Sequence, residues 1–238
     1  MDADTPTSDN DHRSPSRTPS TAHQLRWHKP HNPCSGFGVK APRPQVRALL
    51  EWVRGREGIE RSVYPFMRVV AEQALRPGEA RGLRMSDVVL PERGLGKLTA
   101  RYSGKGRAVP LRSQSVEFLR AWTSEAGLRE DDLLFPDLRG RSASLPVYQQ
   151  VWEQAQEAVL PRDERYSWRL GEPISILRES CLVKWLGMGI SPFTVAELAG
   201  VTPSWLALRY PHCFRVEDAE IDWGRLADVM ALPESVKS

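Results

Sequence analysis

The sequence predicts an α+β fold that is mainly helical and carries one small antiparallel β-sheet. Apolar residues recur at helical spacing on both sides of the chain's middle, and three short strand-like runs separated by turn signals occupy the middle itself. A third observation is that residues 1–44 lack either period. At 238 residues and 40% hydrophobic content, the chain is long enough to bury a core as one domain beside a tail.

The domain boundaries follow from composition. Residues 1–44 hold seven of the nineteen prolines, four of the five histidines and many Ser and Thr. Such a stretch buries too little apolar surface to offset the entropy of ordering it. We therefore expect a disordered tail over 1–44, a folded domain over 45–232 and a flexible C-terminus over 233–238.

Charge and cysteine content restrict the functional class. The net charge of +3 is too small to identify a nucleic-acid partner, so only a local cluster of arginines could do so. Three cysteines, an odd number, fit reduced thiols in a cytoplasm better than a disulfide framework. No long apolar run or secretory leader occurs, which predicts a cytoplasmic protein with no membrane contact.

The histidines argue against several kinds of site. His28, His31 and Cys34 have a spacing that zinc could use, but no fourth ligand follows at comparable spacing, so no metal is expected. Outside the tail the only histidine is His212. A hydrolase triad or a multi-histidine metal site therefore has almost nothing to be built from, and the chemistry must rest on Arg, Lys, Tyr, Ser and carboxylates.

The folded part opens with helices. Helical spacing predicts one helix from about Gln45 and a second over Tyr64–Leu75. Their inward-facing residues are Val46, Leu49, Leu50 and Val53 in the first and Phe66, Val69, Val70 and Ala74 in the second. Arg76 then stands at the junction with a third helix, which has Pro77 in its first turn and contains Glu79.

A small sheet is predicted next, from the strands Val88–Leu90, Lys97–Tyr102 and Arg107–Leu111. Lys105 falls at the tip of the second turn, between two glycines. The residue is either an ordinary solvated turn lysine or a functional group held on a hairpin.

Helices return after the sheet. Ser113 is predicted to cap one helix, Leu133–Phe135 to form a short strand and Leu145–Leu160 to form an amphipathic helix. The charged segment Pro161–Gly171 reads as a loop.

Three short helices complete the domain. The first carries Arg178 in an apolar run, the second starts at the N-cap Ser191 and ends at Gly200, and the third runs over Pro203–Tyr210. Burying a guanidinium is costly unless an anion pairs with it. The anion is either a carboxylate such as Glu179 or Glu197, or a bound ligand.

Four stretches, taken together and in this order, resemble the tyrosine recombinases (the phage-integrase family). They are ALRPGEARGLRMSDV, GKGRAVPL, ISILRESCLVKWLGMGI and AELAGVTPSWLALRYPHC. They are similar to the family's first arginine box, hairpin lysine, H-x-x-R helix and L-G-H box followed by the nucleophile. The resemblance covers roughly residues 45–215 and implies the tyrosine recombinase catalytic-domain fold.

The resemblance also implies a mechanism. Arg76 and Arg178 would clamp the scissile phosphate of double-stranded DNA, Lys105 would protonate the leaving 5′ oxygen, and Tyr210 would attack phosphorus. Two guanidinium forks suit the charge that develops on the phosphate, and a 3′-phosphotyrosyl ester conserves bond energy without any cofactor.

Further roles follow from the same resemblance. Arg209 joins Arg76, Lys105 and Arg178 as a DNA-binding residue, and His212 is an auxiliary candidate. The partners expected are double-stranded DNA and, as an open option, a second copy of the chain on that DNA. DNA recombination or integration in a mobile element would be the setting.

Two departures from the family pattern keep an alternative open. Ser175 stands where the H-x-x-R motif has histidine, and Val201 stands where the L-G-H box has its own. Losing one transition-state donor costs on the order of a hundredfold in rate. The run TVAELAGVTPSWLALRY also fits a helix-turn-helix, so the alternative is a catalytically weakened relative that regulates through DNA binding. A module that binds no DNA at all is a third reading.

Deleting residues 1–44 should leave the melting temperature nearly unchanged, because little apolar area is buried there. Thermal melts of the full-length and shortened proteins check this. A drop of several degrees would mean that the tail docks on the domain.

Overall fold

The computed structural model describes most of the expected domain. The described residues are 43–102, 104–161 and 171–214, without the side chains of Arg43, Pro44 and Lys105. The predictions for the tail, for 233–238 and for most of the loop Pro161–Gly171 concern residues outside these ranges. The first helix begins at Arg43, two positions before the expected boundary.

The described residues form eight α-helices and three strands, in agreement with the predicted mainly helical α+β fold. The helices are α1 (Arg43–Gly55), α2 (Val63–Gln73), α3 (Pro77–Arg81), α4 (Ser113–Ala126), α5 (Leu145–Val159), α6 (Ile176–Gly187), α7 (Pro192–Ala199) and α8 (Pro203–Arg209). Short 3₁₀ turns cover Met85–Asp87 and Pro211–Cys213.

The sheet has strand order β1 (Val88–Val89), β2 (Gly96–Tyr102) and β3 (Lys105–Leu111), antiparallel throughout. Gly96 begins β2 at a position where a Cβ would lie 2.6 Å from a methyl of Val116 and 2.7 Å from a main-chain oxygen, so only glycine fits. In the hairpin Tyr102 pairs with Lys105, which makes Lys105 the first residue of β3.

Local rules place the helix ends. α2 stops at Ala74, which adopts the left-handed conformation with φ 49°, and Pro77 then starts α3 in a first turn that tolerates proline. At the start of α8 the Thr202 hydroxyl accepts a hydrogen bond from the amide of Trp205.

Two local predictions were wrong. Ser113 does not cap α4: it is the first helical residue, Arg112 occupies the N-cap, and the Ser113 hydroxyl donates to Gly94 O. Leu133–Phe135 is not a strand of the sheet, because its only ladder contact is a single bridge from Leu133 to Arg84. Apolar burial explains this segment, since Phe135 packs against Phe66.

The apolar interior consists of two clusters. The larger one joins α1, α2, α4, α5, the sheet and the start of α6, with the Phe66 and Tyr148 rings stacked at 3.8 Å near its centre. The smaller one lies under α6, α7 and α8 and includes Cys181, Leu206 and Tyr210. Because α6 contributes to both clusters, it fixes the last two helices on the rest of the domain.

The helices of the described residues are amphipathic or short. None of those within 43–102, 104–161 and 171–214 is long and apolar enough to cross a membrane.

Phe66→Ala should cost about 3–5 kcal/mol of unfolding free energy, because it removes a fully buried ring between Tyr148 and Phe135. Leu138→Ala, at a side chain 85% exposed, should stay within about 0.5 kcal/mol of wild type. Urea unfolding of both variants measures the difference. Equal losses would show that Phe66 is not in the core.

Candidate active site

One buried carboxylate lies at the centre of the site. Glu79, in the first turn of α3, accepts hydrogen bonds from the Arg76 amide at 2.8 Å and from Arg76 Nη1 at 2.9 Å. The Glu79 carboxylate thus reaches back to the N-cap amide of its own helix, which is one half of a capping box. The sequence indicated Glu79 only as a helix residue, and nothing in the local pattern distinguished it from other surface glutamates.

Arg107 makes the strongest contact with that carboxylate. Its two Nη atoms donate to the two Glu79 oxygens at 2.6 and 2.8 Å, a bidentate pair. Sequence reasoning did not select Arg107, although a signal was present. Arg107 lies two and four positions before the buried Val109 and Leu111, on the same face of β3, so the period of two directs this charged side chain inward, where a carboxylate is required.

Arg178 completes the cluster from α6. It donates to Ala74 O and Ala199 O, each at 2.9 Å, and its Nη1 lies 3.9 Å from Glu79 Oε2. The predicted pairing with Glu179 or Glu197 is therefore replaced by Glu79 and by main-chain carbonyls. Burial and the nearby Arg76 charge lower the pKa of Arg178 to about 10, with Glu79 opposing the shift, so the group stays protonated at neutral pH.

The C-terminal end of α7 holds all three arginines. Leu198 O, Ala199 O and Gly200 O accept from Arg107 Nε, Arg178 Nη2 and Arg76 Nη2 respectively, at 2.8, 2.9 and 2.9 Å. The last carbonyls of a helix have no intrahelical partner and form the negative end of its dipole, so cations are stabilised there.

Gly200 is required at this junction. Its φ is +66°, and a Cβ there would lie 3.2 Å from three atoms of the Arg107 side chain. A larger residue would strain the turn and push Arg107 away from Glu79.

The cluster carries an excess of positive charge. Three arginines against one carboxylate leave two uncompensated charges (3 − 1 = 2), from the side chains Arg76, Arg107, Arg178 and Glu79. Their side-chain exposures rise from 8% for Arg178 through 14% for Arg107 to 32% for Arg76, so Arg76 is the group most open to a ligand. The Tyr102 ring covers part of Arg76, with the guanidinium carbon 4.5 Å from the ring centroid.

The Glu79 carboxylate is held ionised by its partners. Burial alone would raise the pKa of Glu79, but the hydrogen bonds from Arg107 and from the Arg76 amide outweigh it and lower that pKa below its ordinary value of 4.5. The attraction between the Glu79 carboxylate and the three arginines therefore remains at neutral pH.

Tyr210 follows α8 and faces α6. Only 1% of the residue is exposed, and its hydroxyl donates to Glu179 Oε2 at 3.3 Å. The same carboxylate oxygen lies 3.3 Å from Arg209 Nη2, so Arg209 forms an ion pair there rather than joining the arginine cluster. Burial raises the pKa of Tyr210 to about 12, against the lowering effects of Arg209 and Arg178.

His212 lies beside the nucleophile candidate. Its ring stands perpendicular to the Tyr210 ring, 6.4 Å between centroids. Nε2 of His212 is buried and has no hydrogen-bond partner among the described residues.

The structure describes both positions at which the sequence departs from the family pattern, Ser175 and Val201. Ser175 is the N-cap of α6 but makes no capping hydrogen bond, and it lines a cleft together with Pro77 and Gly78, the residues that follow Arg76. Val201 is half-buried against the smaller apolar cluster. For Lys105 the structure describes the main chain in β3, two residues before Arg107, and not the side chain.

The described residues contain no candidate metal-binding cluster. Within 43–102, 104–161 and 171–214, no group of three or more His, Cys, Asp or Glu side chains lies close enough to hold an ion.

Glu79→Gln should destabilise the protein by on the order of 3 kcal/mol at about pH 7, because three arginines lose their shared anion. Since the folded-state pKa is lowered, this contribution is complete above the unfolded value and is lost as pH falls through the folded value. Urea unfolding should therefore show the stabilities of wild type and variant converging as the pH falls below the ordinary glutamate pKa of 4.5 and through the lower folded-state pKa. Glu157→Gln, at an exposed site on α5, serves as the control; a pH-independent gap would contradict the assignment.

Comparison with solved structures gives the fold a family context. XerH recombinase bound to its difH substrate is similar to this chain at TM-score 0.61 and 18% identity, over 82% of this chain and 55% of that one. The XerA recombinase structure gives a TM-score of 0.58 at 17% identity over 82% of this chain and 64% of that one. The catalytic domain of bacteriophage HP1 integrase gives 0.52 at 18% identity, over 74% and 88% respectively.

These likenesses have a defined extent. The chain spans little more than half the length of the XerH chain, whereas it spans most of the HP1 catalytic domain. A search of the curated protein sequences finds no match. The model of the phage integrase family matches residues 43–202, which is more than half of the sequence and includes Glu79 and all three arginines of the cluster. The tyrosine recombinase fold predicted from the four sequence stretches is thus confirmed, and the chain belongs to the phage integrase family.

Proposed function

We propose that this protein is a site-specific DNA recombinase or integrase that cleaves and rejoins duplex DNA through a 3′-phosphotyrosyl ester on Tyr210. The observation that carries the proposal is the arginine cluster on Glu79, with its two uncompensated positive charges beside a buried tyrosine. Double-stranded DNA is the expected partner, which agrees with XerH and the Tn1549 transposon integrase having been solved with DNA.

A phosphodiester fits the charge of the cluster. Within the described residues, Arg76 donates hydrogen bonds from two of its five N–H groups, and Arg178 likewise donates from two. The remaining donors can meet the two non-bridging oxygens, whose negative charge grows in the five-coordinate transition state. Arg107 acts indirectly in this scheme, because it fixes the carboxylate around which the other two arginines are arranged.

The chemical step follows from these contacts. The Tyr210 hydroxyl gives its proton to a base as its oxygen attacks phosphorus. The bond to the 5′ oxygen breaks, and Lys105 at the start of β3 donates the proton that the leaving oxygen needs. The phosphotyrosyl ester retains the energy of the original bond, so a second 5′ hydroxyl can reverse the step on a new strand.

The substituted positions lower the expected rate. Val201 offers no hydrogen-bond donor, and the Ser175 hydroxyl cannot exchange a proton near neutral pH as imidazole does. The Tyr210 hydroxyl must also reach a phosphate although only 1% of the residue is exposed. We therefore propose that the residues covering the Tyr210 hydroxyl move aside when DNA binds, and that turnover is slow.

The alternative is a regulator that binds DNA through α7 and α8. This pair is a helix-turn-helix in shape, with the turn at Gly200. However, the three carbonyls that end α7 all accept hydrogen bonds from arginines of the cluster. Helices α7 and α8 are therefore part of the proposed phosphate site rather than a separate DNA-recognition element. This favours the recombinase. Self-association on DNA and a tail that stays outside the folded domain remain proposals beside it.

Tyr210→Phe should abolish covalent attachment to DNA and leave DNA affinity nearly unchanged, because the hydroxyl supplies the nucleophile while the arginines supply binding. A pool of nicked duplexes of randomised sequence, incubated with the protein and separated under denaturing conditions, reveals any covalent adduct. Tyr64→Phe, which removes a phenol from α2, is the matched control and should react like wild type.

Two further outcomes separate the readings. Salt-dependent duplex binding with no adduct from the wild type, measured by fluorescence anisotropy, would make the regulator correct. Absence of both binding and adduct would exclude DNA as the partner. In the recombinase reading Arg76→Ala combined with Arg178→Ala weakens binding and abolishes the adduct.

A further inference from the structure

The nucleophile candidate is already in contact with a carboxylate. The Tyr210 hydroxyl donates to Glu179 Oε2 at 3.3 Å, across the interface between α6 and the end of α8. The Tyr210 ring makes two edge-to-face contacts, with the rings of Trp205 and His212 at centroid distances of 6.0 and 6.4 Å. The orientation of the hydroxyl toward Glu179 is therefore set by the packing of the ring.

Consecutive residues of α6 serve the two halves of the site. Successive side chains on a helix point about 100° apart, so Arg178 is directed to Glu79 and the phosphate cluster while Glu179 is directed to Tyr210. Glu179 is held in place by a second contact, its ion pair with Arg209 at 3.3 Å. The Glu179 carboxylate thus lies next to the attacking oxygen of Tyr210, and the neighbouring Arg178 guanidinium lies next to the proposed position of the phosphorus atom.

The nucleophile needs a proton acceptor. Burial raises the pKa of Tyr210 to about 12, so the phenol carries its proton at neutral pH. Among the residues that the structure describes, other charged or titratable groups near it include Arg178 from α6, Arg209 from α8, and His212 and Cys213 from the turn that follows. The two arginines cannot accept a proton, and neither can Val201 or, near neutral pH, Ser175.

We propose that Glu179 is a catalytic residue that accepts the phenolic proton of Tyr210 during DNA cleavage. This assignment rests on the proposed recombinase function and supplies the base that the two substituted positions lack. The Tyr210 O–H bond breaks as the O–P bond forms, and the proton passes to Glu179 Oε2. The P–O5′ bond breaks, and its electron pair takes a proton from Lys105, so protons and electrons balance. In the reverse step the neutral carboxyl returns the proton to the departing phenol.

The same contact admits a rival role with the opposite sign. If Glu179 only held Tyr210 in a buried, inactive position, its removal would release the hydroxyl and speed cleavage. If Glu179 is the base, in contrast, its removal slows cleavage. The loss in rate is then largest at low pH, where hydroxide is too scarce to accept the proton instead.

The test compares Glu179→Gln, which keeps the shape and loses the basicity, with Glu197→Gln, which removes a carboxylate from an exposed site on α7. The rate of covalent adduct formation is measured between about pH 6 and about pH 9, on a nicked duplex that forms an adduct with the wild type in the randomised pool. We expect Glu179→Gln to be slower by about 100-fold at neutral pH, with the deficit narrowing as pH rises, and Glu197→Gln to match wild type. Glu179→Asp should recover part of the rate.

A second substrate locates the defect at the nucleophile. With sulfur replacing the 5′ bridging oxygen, the leaving thiolate needs no proton, because a thiol is far more acidic than an alcohol. Lys105→Ala should regain activity on this substrate, while Glu179→Gln should keep its deficit.

Several results would overturn the assignment. They are a Glu179→Gln rate equal to or above wild type, a deficit that is the same at every pH, a deficit that disappears with the sulfur substrate, or a His212→Gln variant that alone shows the pH-dependent loss. An adduct from wild type in any of these cases would leave the recombinase function standing. Absence of adduct from wild type would refute the proposed function and this assignment with it.

Discussion

The carboxylate of Glu79 is the interaction on which the rest of the site depends. Its own helix, the third strand and α6 each direct one arginine to it, and the two bonds to Arg107 leave no room for lateral movement. Three arginines share this one carboxylate, at nearest side-chain N···O distances of 2.6 Å for Arg107, 2.9 Å for Arg76 and 3.9 Å for Arg178. The cluster therefore keeps an excess of positive charge even when every arginine contacts Glu79.

That excess of positive charge is the physical basis of the proposed phosphodiester site. A phosphodiester placed there would be attracted by three arginines and repelled only by Glu79. The carbonyls at the end of α7 perform a related task, because they gather the arginines without cancelling their full charge. These main-chain hydrogen bonds offset part of the cost of desolvating the arginines, and they hold the side chains in the arrangement that the proposed function requires.

Periodicity predicted the fold well, and proximity could not be predicted from it. The helices and the hairpin followed from local apolar spacing and from turn residues such as Pro77 and Gly200, which act within a few positions. The partner of Arg178 could not be found in this way: it lies in another helix, while the adjacent Glu179 points elsewhere. Arg107 was recoverable in principle from its place on the buried face of β3, but its function emerges only when Glu79 is seen beneath it.

The arrangement of the cluster also constrains how the chain folds. The hydrogen bonds from Arg107 to Leu198, from Arg178 to Ala74 and from Arg76 to Gly200 join residues 91, 104 and 124 positions apart. Contacts of such long range close only after the local helices and the hairpin exist, because the loop entropy must be offset first. During synthesis Glu79 and Arg107 leave the ribosome well before α7 does. The nascent domain therefore holds an incomplete arginine cluster until α7 and α8 emerge, and this cluster is among the last parts of the domain to form.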